Sequence, residues 1–312
     1  MSEISVVTVA RDRTEHLLCS AELVAQSSIH REHLILDFGS TPEIDRHLLP
    51  ADPRIRLIRC NWPGEWWLTH AYNLAFALSD GDWILKLDAD ALIPPGFLAQ
   101  LASMQTPGRA QFLCDRLTVQ DWKLPSSLFR TNGLFFVSRA ALRAVRGFNP
   151  YVQGWGWDEL DLYSRLFLKG FSAARLPQSS VNSLEHSDEQ RQPGALSGIS
   201  ATRLKHATNQ KNMLVAQQAY LQGLEWPDLG DYAAAFARDG QPPVIRSVPL
   251  LSEADLQKLA RRCATTLYQP GPSRRLLWRL KALAGKGPWA AANARCFLEA
   301  AGINLELVTD QK

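Results

Sequence analysis

Hydrophobic positions in the first hundred residues follow two rhythms: short runs that read as buried strands, and spaced positions that read as one side of a helix. Ser5-Val6-Val7-Thr8-Val9 is an apolar, β-branched run of the length expected for a buried parallel strand. A helix is predicted next, opened by Thr14 as N-cap, with Leu17, Leu18, Ala21 and Val24 on one side. His33 to Phe38, stopped by Gly39-Ser40, and Arg56 to Cys60, stopped by Asn61 to Gly64, read as strands ending in turns. Thr69 is predicted to cap a helix through Leu78, Asp80-Gly81 breaks it, and Trp83 to Leu87 forms a strand running straight into Asp88-Ala89-Asp90. Pro94-Pro95-Gly96 ends that unit. The β-α-β-α-β order implies an open parallel sheet covered by helices, with ligands beyond the carboxyl ends of its strands. Asp37, Asp88 and Asp90 lie at such ends.

The middle of the chain is mixed. Gln111 to Leu117, Gly133 to Val137 and Phe171 to Leu176 read as strands. Ser138 to Val145, closed by Gly147, and Asp158 to Lys169, closed by Gly170, read as helices. After about residue 195 the texture becomes mostly helical, with a capping box at Ser252-Glu253-Ala254-Asp255 followed by Leu256, Leu259, Ala260, Cys263 and Leu267 at helical spacing.

Charge changes this picture only once it is divided. The 312 residues carry 34 Lys+Arg against 31 Asp+Glu, which excludes both a highly charged disordered chain and a strongly basic nucleic-acid binder. Residues 1–190 hold 18 Lys+Arg and 22 Asp+Glu, a balance of −4, and the remaining residues hold 16 and 9, a balance of +7. The basic excess includes Arg274-Arg275-Leu276-Leu277-Trp278-Arg279-Leu280-Lys281. Such a helix can rest on an anionic membrane surface, and a solvated helix packed on the rest of the protein explains it equally well. No apolar run is long enough to cross a bilayer, the first residues lack the layout of a signal peptide, and five scattered cysteines suit a reducing compartment. The expected location is the cytoplasm, with the inner face of the membrane as the peripheral option.

Three features can carry chemistry. Two carboxylates on one turn can hold a divalent cation against phosphate oxygens, and of the two D-x-D pairs, Asp80-Gly81-Asp82 reads as a solvated turn while Asp88-Ala89-Asp90 leaves the buried sheet at a site position. Gly154-Trp155-Gly156-Trp157 combines glycines, which admit close backbone approach, with indoles that stack on sugars. Asp158 and Glu159 follow at a helix N-terminus, whose dipole favours the ionised form and so a general base. A buried aromatic corner with acidic helix capping is the competing account. His186 can complete a metal site, or serve only as a surface residue.

Together these residues resemble a known family. The β-α-β start, Asp37-Phe38-Gly39-Ser40, Asn73 in the helix before Gly81-Asp82, and the Asp88-Ala89-Asp90 strand end resemble the inverting glycosyltransferases of family 2. Their fold is the GT-A type, a nucleotide-diphospho-sugar transferase fold with a mostly parallel sheet flanked by helices. Asn132-Gly133-Leu134-Phe135-Phe136 and the segment from Gly154 to Leu166 resemble the galactosyltransferase-like carboxyl half of that fold, as in β-1,4-galactosyltransferases and bacterial chondroitin polymerases.

The resemblance implies roles residue by residue. Asp37 would accept from the uracil of a UDP-sugar, with Thr8, Ala10 and Arg11 beside the base. Asn73, Asp88 and Ala89 would serve the donor, Asp88 facing its ribose or sugar. Asp90 and His186 would hold Mn2+ or Mg2+. Gly154, Trp155, Gly156 and Trp157 would meet the acceptor or donor sugar, Trp157 standing where many relatives have Gly and so crowding the acceptor side. The family's acidic pair is usually Glu then Asp, with the second member as base. Here the order is Asp158-Glu159, which makes Glu159 the base and keeps Asp158 as the alternative.

The expected protein is therefore an α/β GT-A domain over residues 1–215 with a basic, mostly helical extension over 216–312. Its expected activity is inverting, metal-dependent transfer from a UDP-sugar, galactose or an N-acetylhexosamine, to a saccharide or lipid-linked saccharide, with no nucleic-acid partner. The rival readings are a nucleotidyltransferase on a similar sheet, and a carbohydrate-binding protein without catalysis.

Overall fold

The computed structural model describes residues 4–105, 111–114, 133–176, 181–184, 208–209, 211–213, 215–216, 219 and 223–246. In chain order the elements are β1 (Ile4–Ala10), α1 (Thr14–Ala25), β2 (Glu32–Phe38), β3 (Ile55–Cys60), α2 (Leu68–Leu78), β4 (Trp83–Lys86), β5 (Ala91–Leu92) and α3 (Phe97–Met104). There follow β6 (Gln111–Cys114), β7 (Phe135–Ser138), α4 (Arg139–Ala144), α5 (Asp158–Leu168), β8 (Ser172–Arg175), β9 (Asn182–Ser183) and α6 (Leu229–Asp239). The capping box at 252–255 and the basic segment 274–281 lie outside the described residues.

The main sheet has seven strands in the order β3-β2-β1-β4-β7-β6-β8. β3, β2, β1 and β4 run parallel, β7 is antiparallel to both β4 and β6, and β8 is parallel to β6. Every residue of β1 and β2 is buried, which explains their nearly unbroken apolar runs. Alternate side chains still separate by face. Val7, Val9, Leu34 and Leu36 join the cluster that includes Tyr72 and Phe76 of α2 and Tyr232 of α6, whereas Val6 joins Phe97 and Leu101 of α3 and Ile35 joins Leu17 and Ala21 of α1. The strand order reverses between β1 and β4, so the crevice beyond their carboxyl ends is where a ligand is expected.

Two helix starts differ from expectation. Position Arg13 precedes α1 and Trp67 precedes α2, neither with a side-chain cap, so Thr14 and Thr69 stand inside their helices. Thr69 donates instead to the carbonyl of Val152, tying α2 to the loop that leads to α5. The helix α3 was missed altogether, its start masked by Pro94-Pro95-Gly96; Gly96, with φ +81, turns the chain into it.

The expected division at residue 215 does not coincide with a break in packing. α6 lies on α2, where Tyr232 Oη is 2.8 Å from His70 Nδ1, and the capping box of Asp228 and Asp231 starts it. Beyond its C-terminal Gly240, Gln241 donates to the carbonyl of Asn61, so this segment braces the β3–α2 loop.

Candidate active site

At the carboxyl ends of β1 and β2, three of the expected donor residues, Asp37, Thr8 and Ala10, are buried and make contacts within the protein. Parallel register sets Asp37 opposite Arg59, and Arg59 pairs with Asp37 Oδ2. The same carboxylate accepts the backbone N–H groups of Ser40 and Ile44. With 2% of its side chain exposed, Asp37 organises the β2 turn. Thr8 is fully buried with its hydroxyl 3.0 Å from His33 Nε2, and Ala10 is buried beside α1. Arg11, just beyond β1, reaches the surface and donates to the carbonyl of Gly64.

That bond draws the loop of residues 61–67 over the strand ends. Trp62 stacks on Phe38 with centroids 5.3 Å apart, and Gly39, with φ +85, has no room for a Cβ against the Trp62 carbonyl. Trp66 meets Phe38 edge-on at 6.2 Å and keeps 36% of its surface exposed. Trp66 is thus an accessible flat face in the crevice that the sequence reading passed over. Three tryptophans within six residues were its available signal. Asn73 is the last displaced donor residue: it is buried, its amide donates to the Phe148 carbonyl and accepts from the Phe148 N–H, and Gly147 leaves no space for a Cβ beside it. It clasps α2 to the loop after α4.

The D-x-D turn lies at the reversal point, directly after β4. Asp88, about one-third exposed, accepts from Tyr72 Oη at 3.0 Å and from Lys86 Nζ at 2.7 Å. Lys86 is 1% exposed and also reaches Glu159 Oε1 at 3.3 Å. A lysine buried in a β-strand, two positions before the acidic pair, is the second residue that sequence reasoning missed; its signal was the lone cation in an otherwise apolar strand. Removing an ammonium from water costs several kcal/mol. Two carboxylates about 3 Å away, each attracting it by roughly 5 kcal/mol at an effective dielectric of about 20, can offset that. Burial lowers the Lys86 pKa, but Asp88 and Glu159 outweigh it and hold the pKa well above the ordinary value.

The start of α5 supplies the acidic pair. Burial and then the Glu159 charge push Asp158 well above the usual carboxylate range. Burial works against ionisation of Glu159 too, but Lys86 and a hydrogen bond from Asp158 overcome it and lower its pKa. The two shifts run in opposite directions, so Glu159 is the more readily ionised member of the pair. Gly133, at φ +87, lies against this carboxylate so closely that a Cβ would collide with Oε1. Asp161, the third acid of this first turn, pairs with Arg165 at 2.7 Å, and Arg165 also donates to the carbonyls of Val145 and Gly147.

The Gly-Trp-Gly-Trp loop divides between the two accounts given for it. Gly154 and Gly156 have φ values of +79 and +91, and added Cβ atoms would strike Thr208 and Asn209. Asn212 donates to the Gly156 carbonyl at 2.8 Å, closing the segment around residues 208–213 over the loop. Trp155 is partly exposed. Trp157 corrects the expectation of a crowded acceptor side: it is 8% exposed and packs with Val152, Leu160 and Ala216. Its φ of +70 is a glycine-like conformation, unusual for an indole-bearing residue.

Asp88 and Asp90 offer hard oxygen donors from one turn, the chemistry that Mn2+ and Mg2+ require. Burial raises the Asp88 pKa, Lys86 opposes that, and the Asp90 charge adds to the rise, a crowding that a divalent cation would relieve. Among the described residues no cluster of three or more His, Cys, Asp or Glu forms a complete metal site. The chain returns beside the turn through β9, where Leu184 donates to the Asp90 carbonyl at 2.9 Å. His186 itself lies outside the described residues.

With this geometry in hand, comparison places the chain. Residues 5–146 match the model for Glycosyl transferase family 2, and residues 115–187 match that for the N-terminal domain of galactosyltransferase. No curated protein sequence matches. GalNAc-T7, solved with UDP, GalNAc and Mn2+, superposes with a TM-score of 0.52 at 15% identity, covering 83% of this chain and 54% of that one. This chain thus spans about half the length of that structure. The mannosyltransferase PcManGT of Pyrobaculum calidifontis, in complex with GDP-Man and Mn2+, gives 0.50 at 18% identity, covering 99% and 88%. The fold is GT-A, and the two family models together match residues 5–187.

Proposed function

We propose that the protein is an inverting, metal-dependent glycosyltransferase that moves a hexose, galactose or an N-acetylhexosamine, from a UDP-sugar to a hydroxyl of a saccharide or lipid-linked saccharide. The observation that carries this reading is the ionised Glu159, held at the N-terminus of α5 across Lys86 from the D-x-D turn. A base and a diphosphate-binding turn on opposite sides of one crevice are what a single displacement needs.

Asp90, with His186, would hold the cation, and Mn2+ in both structural neighbours supports that choice. The cation would supply charge neutralisation for the departing diphosphate. Asp88 orients the donor ribose or sugar. The acceptor hydroxyl oxygen bonds to the anomeric carbon as the bond from that carbon to the diphosphate oxygen breaks, the electron pair leaving with UDP. Glu159 takes the hydroxyl proton, and Asp158 steadies it by hydrogen bonding. Attack from the face opposite the leaving group inverts the anomeric centre. Trp155 offers the sugar a surface, and Trp66 a face for the base now that Asp37 is engaged by Arg59.

The neighbours hold UDP in one case and GDP-Man in the other, so the donor must be measured. The test is a screen of UDP- and GDP-sugars with Mn2+, read as nucleotide release and as stereochemistry of the product. Inverted product from a UDP-sugar supports the proposal; retained configuration, or no release with any donor and saccharide acceptor, rejects it.

A further inference from the structure

The mechanism above uses Asp88 and Glu159 but leaves the group between them without a task. Lys86 ends β4, is 1% exposed, and places Nζ 2.7 Å from Asp88 Oδ1 and 3.3 Å from Glu159 Oε1. Its ammonium also stands 5.0 Å from the centroid of the Tyr72 ring, a cation–π contact on the buried side. One side chain thereby joins Asp88 on the donor turn to Glu159 on the acid-bearing helix, which lies 73 positions from Lys86 in the chain. Among the described residues no other Lys or Arg pairs with either carboxylate.

We infer that Lys86 is a positioning residue for transfer: its buried ammonium decides that Glu159 is the ionised member of the acidic pair and sets that base at a fixed distance from the donor-side Asp88. The inference rests on the glycosyltransferase reading. Its argument is one of charge placement. The groups facing the pair are Lys86, Asp88 and the Tyr72 hydroxyl from the sheet side, with Asp90 beyond Asp88 and Asp158 on α5 itself. Without the ammonium, Asp158 and Glu159 would face each other in a largely buried site with no counter-charge among the described residues. Such pairs hold one proton jointly and release it only at raised pH, so neither member would be dependably ionised at neutrality. Because Lys86 touches Glu159, the proton resides on Asp158. The choice between the two acids is thus made from a strand and not from the helix that carries them.

The test is Lys86→Met, which keeps the length and removes the charge. Its transfer rate at pH 7 is expected to fall about 10- to 100-fold, and the acidic limb of its pH–rate profile to move up by about one to three pH units, with activity partly recovered at high pH. A uniform loss at every pH, with the limb unmoved, would mean a merely structural lysine and overturn the inference. If Lys86→Met does not fold, 13C titration of side-chain carboxyls in the unaltered protein decides, with Glu159→Gln assigning the signal. Glu159 titrating below the ordinary glutamate range is expected; titration within or above that range overturns the inference. Absence of nucleotide release by the unaltered protein would sink the glycosyltransferase reading alone, because the titration needs no turnover.

Discussion

The two ends of the parallel sheet bury charge in opposite ways. At the amino end, Glu32 opens β2 and is 5% exposed, yet both its oxygens are engaged: Oε1 accepts from Ser5 Oγ and the Asp80 N–H, each at 2.5 Å, and Oε2 pairs with Arg56. Arg56 also reaches Asp80 at 2.7 Å, and Ser5 Oγ accepts from the Gly81 N–H. At the carboxyl end, one buried cation, Lys86, serves Asp88 and Glu159, with Asp90 and Asp158 close by. The first cluster is satisfied internally and closes the β4 turn. The second joins Lys86 to two carboxylates at once and leaves Asp88 about one-third exposed. Buried charge marks function only where pairing is incomplete.

The largest effect should come from breaking the unsatisfied end. Glu159→Gln removes the base and is expected to lower the transfer rate about 10²- to 10⁴-fold while sparing donor binding. Asp158→Asn, whose amide can still donate to Glu159, should cost about tenfold or less. Initial-rate assays on the two variants decide between the acids, and equal losses would return Asp158 as a candidate base.

Glu32→Gln should behave in the opposite manner. It leaves Arg56 without its buried partner and weakens acceptance from Ser5 and Asp80, a loss of about 2 to 3 kcal/mol in urea unfolding. The transfer rate per folded molecule should not change. A rate defect larger than the stability defect would show that the amino end communicates with the site, and the contrast between the ends would fail.

How much of this was legible depends on whether a residue's task is local. The β-α-β order, the strand end at Asp88 and the acidic start of α5 follow from short-range pattern, and the structure has them there. Pairings between strands are not local. The register that sets Arg59 opposite Asp37, and the loop after α4 that folds over Asn73, join residues distant in sequence and so escape short-range pattern. Thr14 and Thr69 had the right residue type for caps, but the helices begin at or before them, and Thr69 is held by Val152. Trp157 adopts a backbone conformation that its residue type disfavours, so no propensity rule could turn it inward. Lys86 was visible in the sequence, and only its two partners give it meaning.

Buried histidines separate the ends by pH. His30 and His33, at the amino end, are held neutral chiefly by burial, with pKa values lowered to about 4 and about 3. Both nitrogens of His30 are buried with no hydrogen-bond partner. Because the folded pKa lies below the unfolded one, stability is fully present above about pH 6.5 and is lost as pH falls toward 4. Each pKa unit is worth about 1.4 kcal/mol, so unfolding free energy should drop by about 2 kcal/mol for His30 alone between pH 7 and pH 5. A urea midpoint unchanged over that interval would show that these rings are hydrated or paired.

The smallest effect comes from a matched pair of tryptophans, one at each end. Trp83 opens β4 and stacks on Phe136 with centroids 5.1 Å apart and rings 20° from parallel, so its contacts are internal. Trp66 touches Phe38 only by an edge and leaves 36% of its surface open in the crevice. Trp83→Ala should therefore lower the melting temperature and leave the donor KM unchanged. Trp66→Ala should raise the donor KM about tenfold, the 1.4 kcal/mol of one lost stacking contact, with a smaller change in melting temperature than Trp83→Ala. If the two variants exchanged these effects, the exposed indole would be serving the fold, and the nucleobase would have to find its surface elsewhere along the strand ends.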